Sequence, residues 1–586
     1  MTTPDPVTLA VLAGALDSAV REMTITMRRA AMSPVLAIGN DFSNAIFDSQ
    51  PNMVLQGQDQ PVHLGAMIAA TKGMAKYFGD DLAPGDVIYH NDPLTGGSHL
   101  QDMTMYKPVF VDGEILFWTV NRGHMDETGG PVAGGYNPLA EEIWAEGLRI
   151  SPVKIYDQGK RRQDVIDFMA TNFRTRSQWL GDLGAQLAAV TVAERRLLRL
   201  VERYGADTVK VCLDALLDRA EEQMRAEISQ MPDGEYEGGT MIEDKSGDLE
   251  LRANVRISGD TIHVALQAPP QTRSYINSYP SNTVGGIYVG VVTFVDPNIP
   301  HNEGMYRPIS ADLGPEGTIV NAVSPAACSM STSVPYGHIA EAIRNALATA
   351  LPKRAGGGWG KVCCDVLTGV DPRNGDHYGY LSHMTGWGGG GAFWGQDGEP
   401  VVGCIEVAGA AMTGDIEVVE HMLPLHVSRF ELERGSASAG CWRGGWGSVM
   451  EIAPVGHTTQ VNFIGDGHKY PPPSLLGAHS SRNADRVYRK YLIDASGKER
   501  MKLHTIRHVR EDQYLEIHCP GGGGIGDPFE RDPQAVLDDV RSRLLSPESA
   551  QEEYGVVLDL AGCTVDAKAT ATLRQSRNKV SISEVA

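Results

Sequence analysis

The chain carries 66 glycines in 586 residues, about 11% where a globular protein usually has about 7%. Glycine loses the most backbone entropy on folding and gives a core no side chain, so an excess of this size needs turns or close backbone approach to justify it. The glycines follow no Gly-X-Y period and form no low-complexity repeat, which excludes a collagen-like rod and a disordered linker. Most of the excess lies between 356 and about 450, in runs such as GGGWG and GWGGGG. Hydrophobic residues still make up 42%, enough for a substantial core. A loop- and turn-rich, strand-rich, soluble protein is expected.

Charge and targeting narrow the function classes. With 51 Lys+Arg against 73 Asp+Glu the formal charge is −22. That balance argues against nucleic acid or an anionic membrane as partner, since phosphate binding is driven by Lys/Arg. The start, MTTPDP, lacks the basic and apolar segments of a secretory signal. No window approaches about 18 uninterrupted apolar residues, so no membrane span is expected. The eight cysteines form no CxxC pair, which removes zinc ribbons and thioredoxin-like motifs. Adjacent Cys363 and Cys364 would alternate across a strand, and reduced, mostly buried thiols in a cytoplasmic protein are expected.

At roughly 150 residues per domain the length suggests three to four packing units. The expected class is α+β, with a multi-layer mixed α/β N-terminal unit, a helical middle section and a strand- and glycine-rich C-terminal part. Residues 1–155 form the first unit: an amphipathic helix over 6–32, two short strands around a Gln-Pro-Asn turn in 41–56, a helix over 63–78, and the strands VIYH, YKPVFV and EILFWTV. Residues 156–230 are helix formers with heptad-like apolar spacing, and the charges of AERRLLRLVER read as a solvated face. From 231 to 530 short strands dominate (RANVRI, TIHVALQA, SVMEIAPV, YLEIHC), with one helix near 338–352. Residues 531–586 hold a helix, PQAVLDDVRSRLL, and a polar tail, SISEVA, expected to fray.

Glycine runs invite a nucleotide-binding reading, and it fails. Gly356-Gly-Gly-Trp-Gly360-Lys361-Val362 is one residue short of a P-loop and has Val362 where a hydroxyl would reach Mg²⁺. No GxGxxG joins a strand to a helix, and no GxSxG nucleophile elbow is present. The positive signal lies in the first 130 residues. His99 and Asp102 follow the run LTGGS, His124 follows the strand EILFWTV, and Asp41 opens DFSNAIF. Two imidazoles and two carboxylates at strand and loop ends would give a mixed N/O site for Mn²⁺, Fe²⁺ or Zn²⁺. A His-x-x-Asp pair arises easily in a chain with 17 histidines, and polar surface loops account for the same residues. His301, His377, His421 and His426 are expected in solvent or satisfied-core roles.

Longer motifs say more than spacing. DFSNAIFD, QGQDQPVHLGAM, PGDVIYHNDPLTGGSHLQDMTMYKPVF, FWTVNRGHMDETGGP and IWAEGLRISPVKI occur in one order. DPNIPHNEGMYRPI, LPLHVSRFELERGSASAGCWRGGWGSV and PGGGGIGDP follow. Together, from about residue 5 to 530, they resemble the hydantoinase B/oxoprolinase family, and the N-terminal wording looks most like its caprolactamase-type β subunits.

The resemblance implies a divalent metal (Zn, Mn or Fe) held by Asp41, His99, Asp102 and His124. It implies that ATP is bound by a separate partner, an actin-like hydantoinase A-type subunit, which phosphorylates the carbonyl oxygen of a small cyclic amide. Metal-activated water would then attack the ring carbon in this subunit. The function implied is the metal-dependent subunit of an ATP-dependent cyclic amidohydrolase acting on a lactam, hydantoin or 5-oxoproline-like ring. Asp126 and Glu127 are the first choices for catalytic duty, in substrate contact or proton transfer, with Glu146 and Arg122 in matching motifs. The alternative within the family is a large subunit of an ATP-dependent ketone carboxylase. A scaffold subunit with no site of its own is disfavoured by the intact ligand set.

Overall fold

The computed structural model describes residues 4–362, 365–382, 387–407, 411–479 and 486–583. Cys363, Cys364 and the last three residues of the expected tail lie outside the described residues. The first helix, α1 (Pro6–Ala30), starts where the sequence marks it: Pro6 sits in the first turn and the Asp5 carboxylate caps the Thr8 N–H at 2.9 Å. Its buried stripe is Leu12, Leu16, Ala19, Val20, Met23 and Met27, the three- and four-residue steps of one helical face. A short helix, α2 (Pro34–Ala37), leads into the sheet.

Seven strands make an antiparallel sheet: β1 (Phe42–Asp48), β2 (Met53–Gln56), β3 (Val87–His90), β4 (Asp102–Val111), β5 (Glu114–His124), β6 (Val153–Asp157) and β7 (Lys160–Arg161). Their spatial order is β2-β1-β5-β4-β3-β6-β7. The β4–β5 hairpin turns through Asp112 and Gly113, both at positive φ (49° and 87°), as an Asp-Gly two-residue turn requires. Helix α3 (Pro61–Phe78) lies between β2 and β3 in the chain. Three helices, α4 (Gln163–Thr171), α5 (Arg176–Tyr204) and α6 (Ala206–Ile228), form the helical section. Helix α5 packs on α1 and on β4 and β5. Buried Gln186 of α5 takes the Tyr89 hydroxyl at 3.1 Å and donates to the Met103 carbonyl at 2.9 Å.

Beyond residue 231 the strands gather into smaller sheets. β8 (Gly234–Ile242), β9 (Leu249–Ser258), β10 (Thr261–Gln267) and β11 (Ile309–Asp312) form one in the order β11-β10-β9-β8. Two helices pack beside it, α7 (Pro280–Val292) and α8 (Val334–Ala350). The expected helix near 338–352 is α8. Helix α7 was not expected. Its segment, PSNTVGGIYVGVV, is buried on several faces, so it lacks the polar stripe that marks a surface helix. Its glycines serve packing: a Cβ on Gly65 of α3 would lie 2.4 Å from the Gly285 Cα of α7. The remaining C-terminal strands form a four-stranded, a five-stranded and a two-stranded sheet, and a further helix, α9 (Ile416–Met422), lies between the strands of the four-stranded one in the chain. The C-terminal part contains α10 (Pro533–Arg541), α11 (Pro547–Tyr554) and α12 (Ala567–Ser583). The overall class is the mixed α/β one expected.

The glycine excess finds a role other than turns. Segments 356–360, 388–391, 443–447 and 520–524 bond laterally: Gly445 N–H to Gly390 O (2.8 Å), Gly522 N–H to Gly445 O (2.9 Å) and Gly523 N–H to Gly358 O (2.8 Å). A Cβ on Gly522 would lie 1.9 Å from the Gly390 carbonyl oxygen. Backbones this close exclude any side chain. Gly522→Ala is therefore expected to lower unfolding free energy by about 1–3 kcal/mol through overpacking. Gly14→Ala, in α1 with nothing near the new Cβ, should raise it by about 0.5–1 kcal/mol. Denaturant titration of both variants checks the contrast.

Candidate metal centre

Strand register builds the site. Asp102, first residue of β4, pairs directly with His124, last residue of β5, and Gly123 pairs with Phe42 at the start of β1. The His124 N–H donates to the Asp41 carbonyl at 2.9 Å. Asp41, His124 and Asp102 thus stand side by side at one end of three central strands. The turn before β4 adds His99, and the first turn of α3 adds His63. All five side chains are buried.

The reactive atoms converge. His99 Nε2 lies 3.0 Å from Asp102 Oδ1, His63 Nε2 at 3.3 Å and His124 Nδ1 at 3.5 Å from the same oxygen. Asp41 stands slightly further out, with Oδ1 3.7 Å from His63 Nε2 and Oδ2 3.8 Å from His124 Nδ1. The ligand atoms of His99, Asp102 and His124 all fall within 4.8 Å of one another. His99 Nε2 and Asp102 Oδ1 are buried with no hydrogen-bond partner, a costly arrangement unless something else satisfies them. A divalent cation would do so, and a set of imidazole nitrogens and carboxylate oxygens suits Zn²⁺, Mn²⁺ or Fe²⁺.

The outward-facing atoms are held by the protein. His99 Nδ1 lies 2.6 Å from the Ser329 carbonyl, which fixes it as the N–H tautomer and leaves Nε2 free to ligate. Tyr136 Oη lies 3.3 Å from His124 Nε2 and the two rings stack. His63 Nδ1 meets Ser43 Oγ at 3.0 Å. The Ser98 hydroxyl donates to Asp102 Oδ2, and Arg122 donates to Ser98 Oγ at 3.3 Å. Glu146 accepts the Cys328 and Ser329 N–H groups at 2.7 and 2.6 Å, so it anchors the peptide that orients His99. Burial opposes ionisation of Asp102, but His99, His63 and His124 hold its carboxylate well below the usual range. Burial also opposes charge on His99, and Asp102 and the Ser329 carbonyl outweigh it, raising its pKa.

His63 was not singled out from the sequence, although it stands in QGQDQPVHLGAM. Its signal was Pro61, which opens a helix and puts His63 in the first turn. Asp126 and Glu127 leave the strand end just after His124 and line a cleft of about 330 Å³ with Arg174, Thr175, His377 and His457. The two differ in role. Glu127 accepts from the N–H groups of Gly129 (2.7 Å) and Gly134 (3.3 Å) and from Arg174 (3.1 Å), which ties down its own loop. Asp126 accepts only from Thr175 Oγ1, at 3.1 Å, and its Oδ2 has no partner. His301, His377, His421 and His426 are exposed.

Burial, then the neighbouring Asp182 and Glu127, push the Asp126 carboxyl up to about 8. Its folded value therefore exceeds its unfolded one, so the folded state is favoured below about pH 4 and that advantage is lost as pH rises through about 8. Asp126→Asn is expected to gain stability over wild type progressively between those limits and to hold the gain above them. Melting temperatures of both proteins across pH 4–9 check the sign.

Comparison with known proteins identifies the family. The sequence model of Hydantoinase B/oxoprolinase matches residues 5–528. The chain is 44% identical over 564 residues to caprolactamase subunit beta of Pseudomonas jessenii, covering 95% of this chain and 97% of that one. It is 28% identical over 538 residues to 5-oxoprolinase 1 of Arabidopsis thaliana, covering 86% of this chain and 40% of that one. The crystal structure of the ATP-dependent caprolactamase from Pseudomonas jessenii superimposes with a TM-score of 0.93 at 42% identity, over 98% of this chain and all of that one. Matched along nearly its whole length, the chain belongs to the hydantoinase B/oxoprolinase family.

Proposed function

We propose that this chain is the metal-bearing subunit of an ATP-dependent enzyme that opens cyclic amides, a lactam before a hydantoin or oxoproline-like ring. The observation that carries the reading is the convergence of His99, Asp102 and His124, with Asp41 slightly further out and with His99 Nε2 and Asp102 Oδ1 buried without a hydrogen-bond partner. A divalent cation held there supplies Lewis-acid polarisation and lowers the pKa of water. Full-length similarity to a caprolactamase subunit supports the substrate class, and the described cysteines, mostly buried and in no disulfide with one another, suit a reducing cytoplasm.

The chain's own residues divide the remaining work. Ser329 and Tyr136 fix the two imidazoles so that His99 Nε2 and His124 Nδ1 face inward. His63 Nε2 lies against both Asp41 and Asp102, where it can pass a proton between the two carboxylates. Asp126, uncharged at neutral pH, can supply a proton to the leaving nitrogen. An amide is a poor electrophile, so activation must come first. The GGGWGK segment does not provide it: the N–H groups of Gly357, Gly358 and Gly360 already donate to Ala392, Pro473 and Gly389 carbonyls, and Lys361 is paired with Glu341. We assign ATP binding and phosphorylation of the carbonyl oxygen to an actin-like hydantoinase A-type partner.

Two measurements test this. Asp41→Ala and His124→Ala should each weaken divalent metal binding by at least about tenfold, and unchanged metal content in both would sink the ligand set. The chain co-purified with its A-type partner should open caprolactam or a related ring with ATP turnover, and both variants should lose that activity. Ring opening by this chain alone, or ATP turnover on a ketone that requires bicarbonate, would overturn the reading.

A further inference from the structure

A second polar cavity sits beside the metal cluster. It is about 20 Å³ in volume, room for one or two water-sized groups. Its walls include His338, Glu341 and Arg344 of α8, Trp359 and Lys361 of the glycine-rich segment, and Glu406. It shares structure with the cluster on two sides. Thr332 Oγ1 lies 3.4 Å from His99 Nδ1, and the next residue, Ser333, lines the cavity. Val62, beside His63, donates its N–H to the Glu406 carbonyl at 2.9 Å.

Most charges here are answered within the protein. Lys361 Nζ donates to Glu341 Oε2 at 2.7 Å, and Thr240 Oγ1 donates to Glu341 Oε1 at 2.6 Å. His338 is ion-paired with Asp466, and its other nitrogen lies 2.8 Å from Thr240 Oγ1. Arg344 is different. It is 3% exposed, its Nη2 donates only to the Gly356 and Gly357 carbonyls (3.0 Å each), and its Nε has no partner. Trp359 Nε1, on the same cavity wall, also lacks a partner. Burial pushes the Glu406 carboxyl up to about 8, so it adds no charge at neutral pH and can itself donate. Two unsatisfied N–H donors call for an acceptor, and the Glu341 carboxylate that faces the buried Arg344 guanidinium is already hydrogen-bonded to Lys361 and Thr240, so an acceptor that carries negative charge is favoured. Water supplies the acceptor without the charge, and a phosphate is too large for the space.

We propose that this cavity binds a small carboxylate group, with Arg344 and Trp359 donating to its oxygens. Two donors from separate elements suit a two-oxygen acceptor better than a spherical ion. The assignment goes beyond the proposed function and does not depend on which ring the enzyme opens.

Calorimetric titration of the full, metal-loaded chain with formate in chloride-free buffer tests it, with chloride and phosphate as comparison arms. Formate is expected to bind saturably and at least about tenfold more tightly than either comparison anion. Arg344→Lys, which keeps a donor for the two carbonyls, and Trp359→Phe should each weaken formate by about tenfold. Metal content and ligand-free melting temperature should stay at wild-type values. Absence of saturable formate binding, equal affinity for chloride, or wild-type formate affinity in Trp359→Phe would overturn the proposal. The last variant decides the matter if Arg344→Lys does not fold.

Discussion

The hydrogen-bond register of β1, β5 and β4 is the constraint on which the rest of the site depends. It puts Asp41, His124 and Asp102 at the same end of three neighbouring strands. A shift of one residue in either pairing would turn each side chain to the opposite face. Packing on both faces opposes that slip: Phe47, Trp118 and Val120 lie on one face and Phe42, Met103 and Met105 on the other, all buried in one core cluster. Packing that has nothing to do with chemistry therefore fixes the geometry that does.

Electrostatics explains why the site needs so much support. Asp102 is a fully buried carboxylate kept ionised by three surrounding imidazoles, and burying charge is expensive unless it is closely compensated. The protein answers with a shell of hydrogen-bond partners: Ser98 and the cationic Arg122 behind Asp102, the Ser329 carbonyl behind His99, Tyr136 beside His124 and Ser43 behind His63. Glu146 extends this shell one step by gripping the peptide that carries the Ser329 carbonyl. These contacts leave His99 Nε2 and Asp102 Oδ1 without hydrogen-bond partners, the condition under which a cation gains most from entering.

Much of this was legible in the sequence where local pattern decides the outcome. The Gln-Pro-Asn turn between β1 and β2 and the three-and-four spacing of α1 are short-range signals, and they fold as read. Helix α7 escaped because a helix buried on several faces has no amphipathic period, and its Gly285 and Gly286 argue locally for a turn. The glycine runs were read as turns because sequence cannot distinguish a glycine needed for positive φ from one needed because another backbone lies against it. His63 escaped for a related reason: only the docking of α3 on the sheet brings it to Asp102, 39 positions away in the chain. The pairing of Arg344 with an otherwise unsatisfied cavity is likewise a tertiary fact with no local signature.

The central claim is that Asp41, His99, Asp102 and His124 hold one divalent cation at the end of these strands. Anomalous diffraction from crystals of the metal-loaded chain tests it most directly. The account predicts a single strong peak within coordination distance, about 2.0–2.2 Å, of His99 Nε2, His124 Nδ1 and a carboxylate oxygen of Asp102. A loaded protein whose peak lies elsewhere, with the four side chains still converging on nothing, would contradict it.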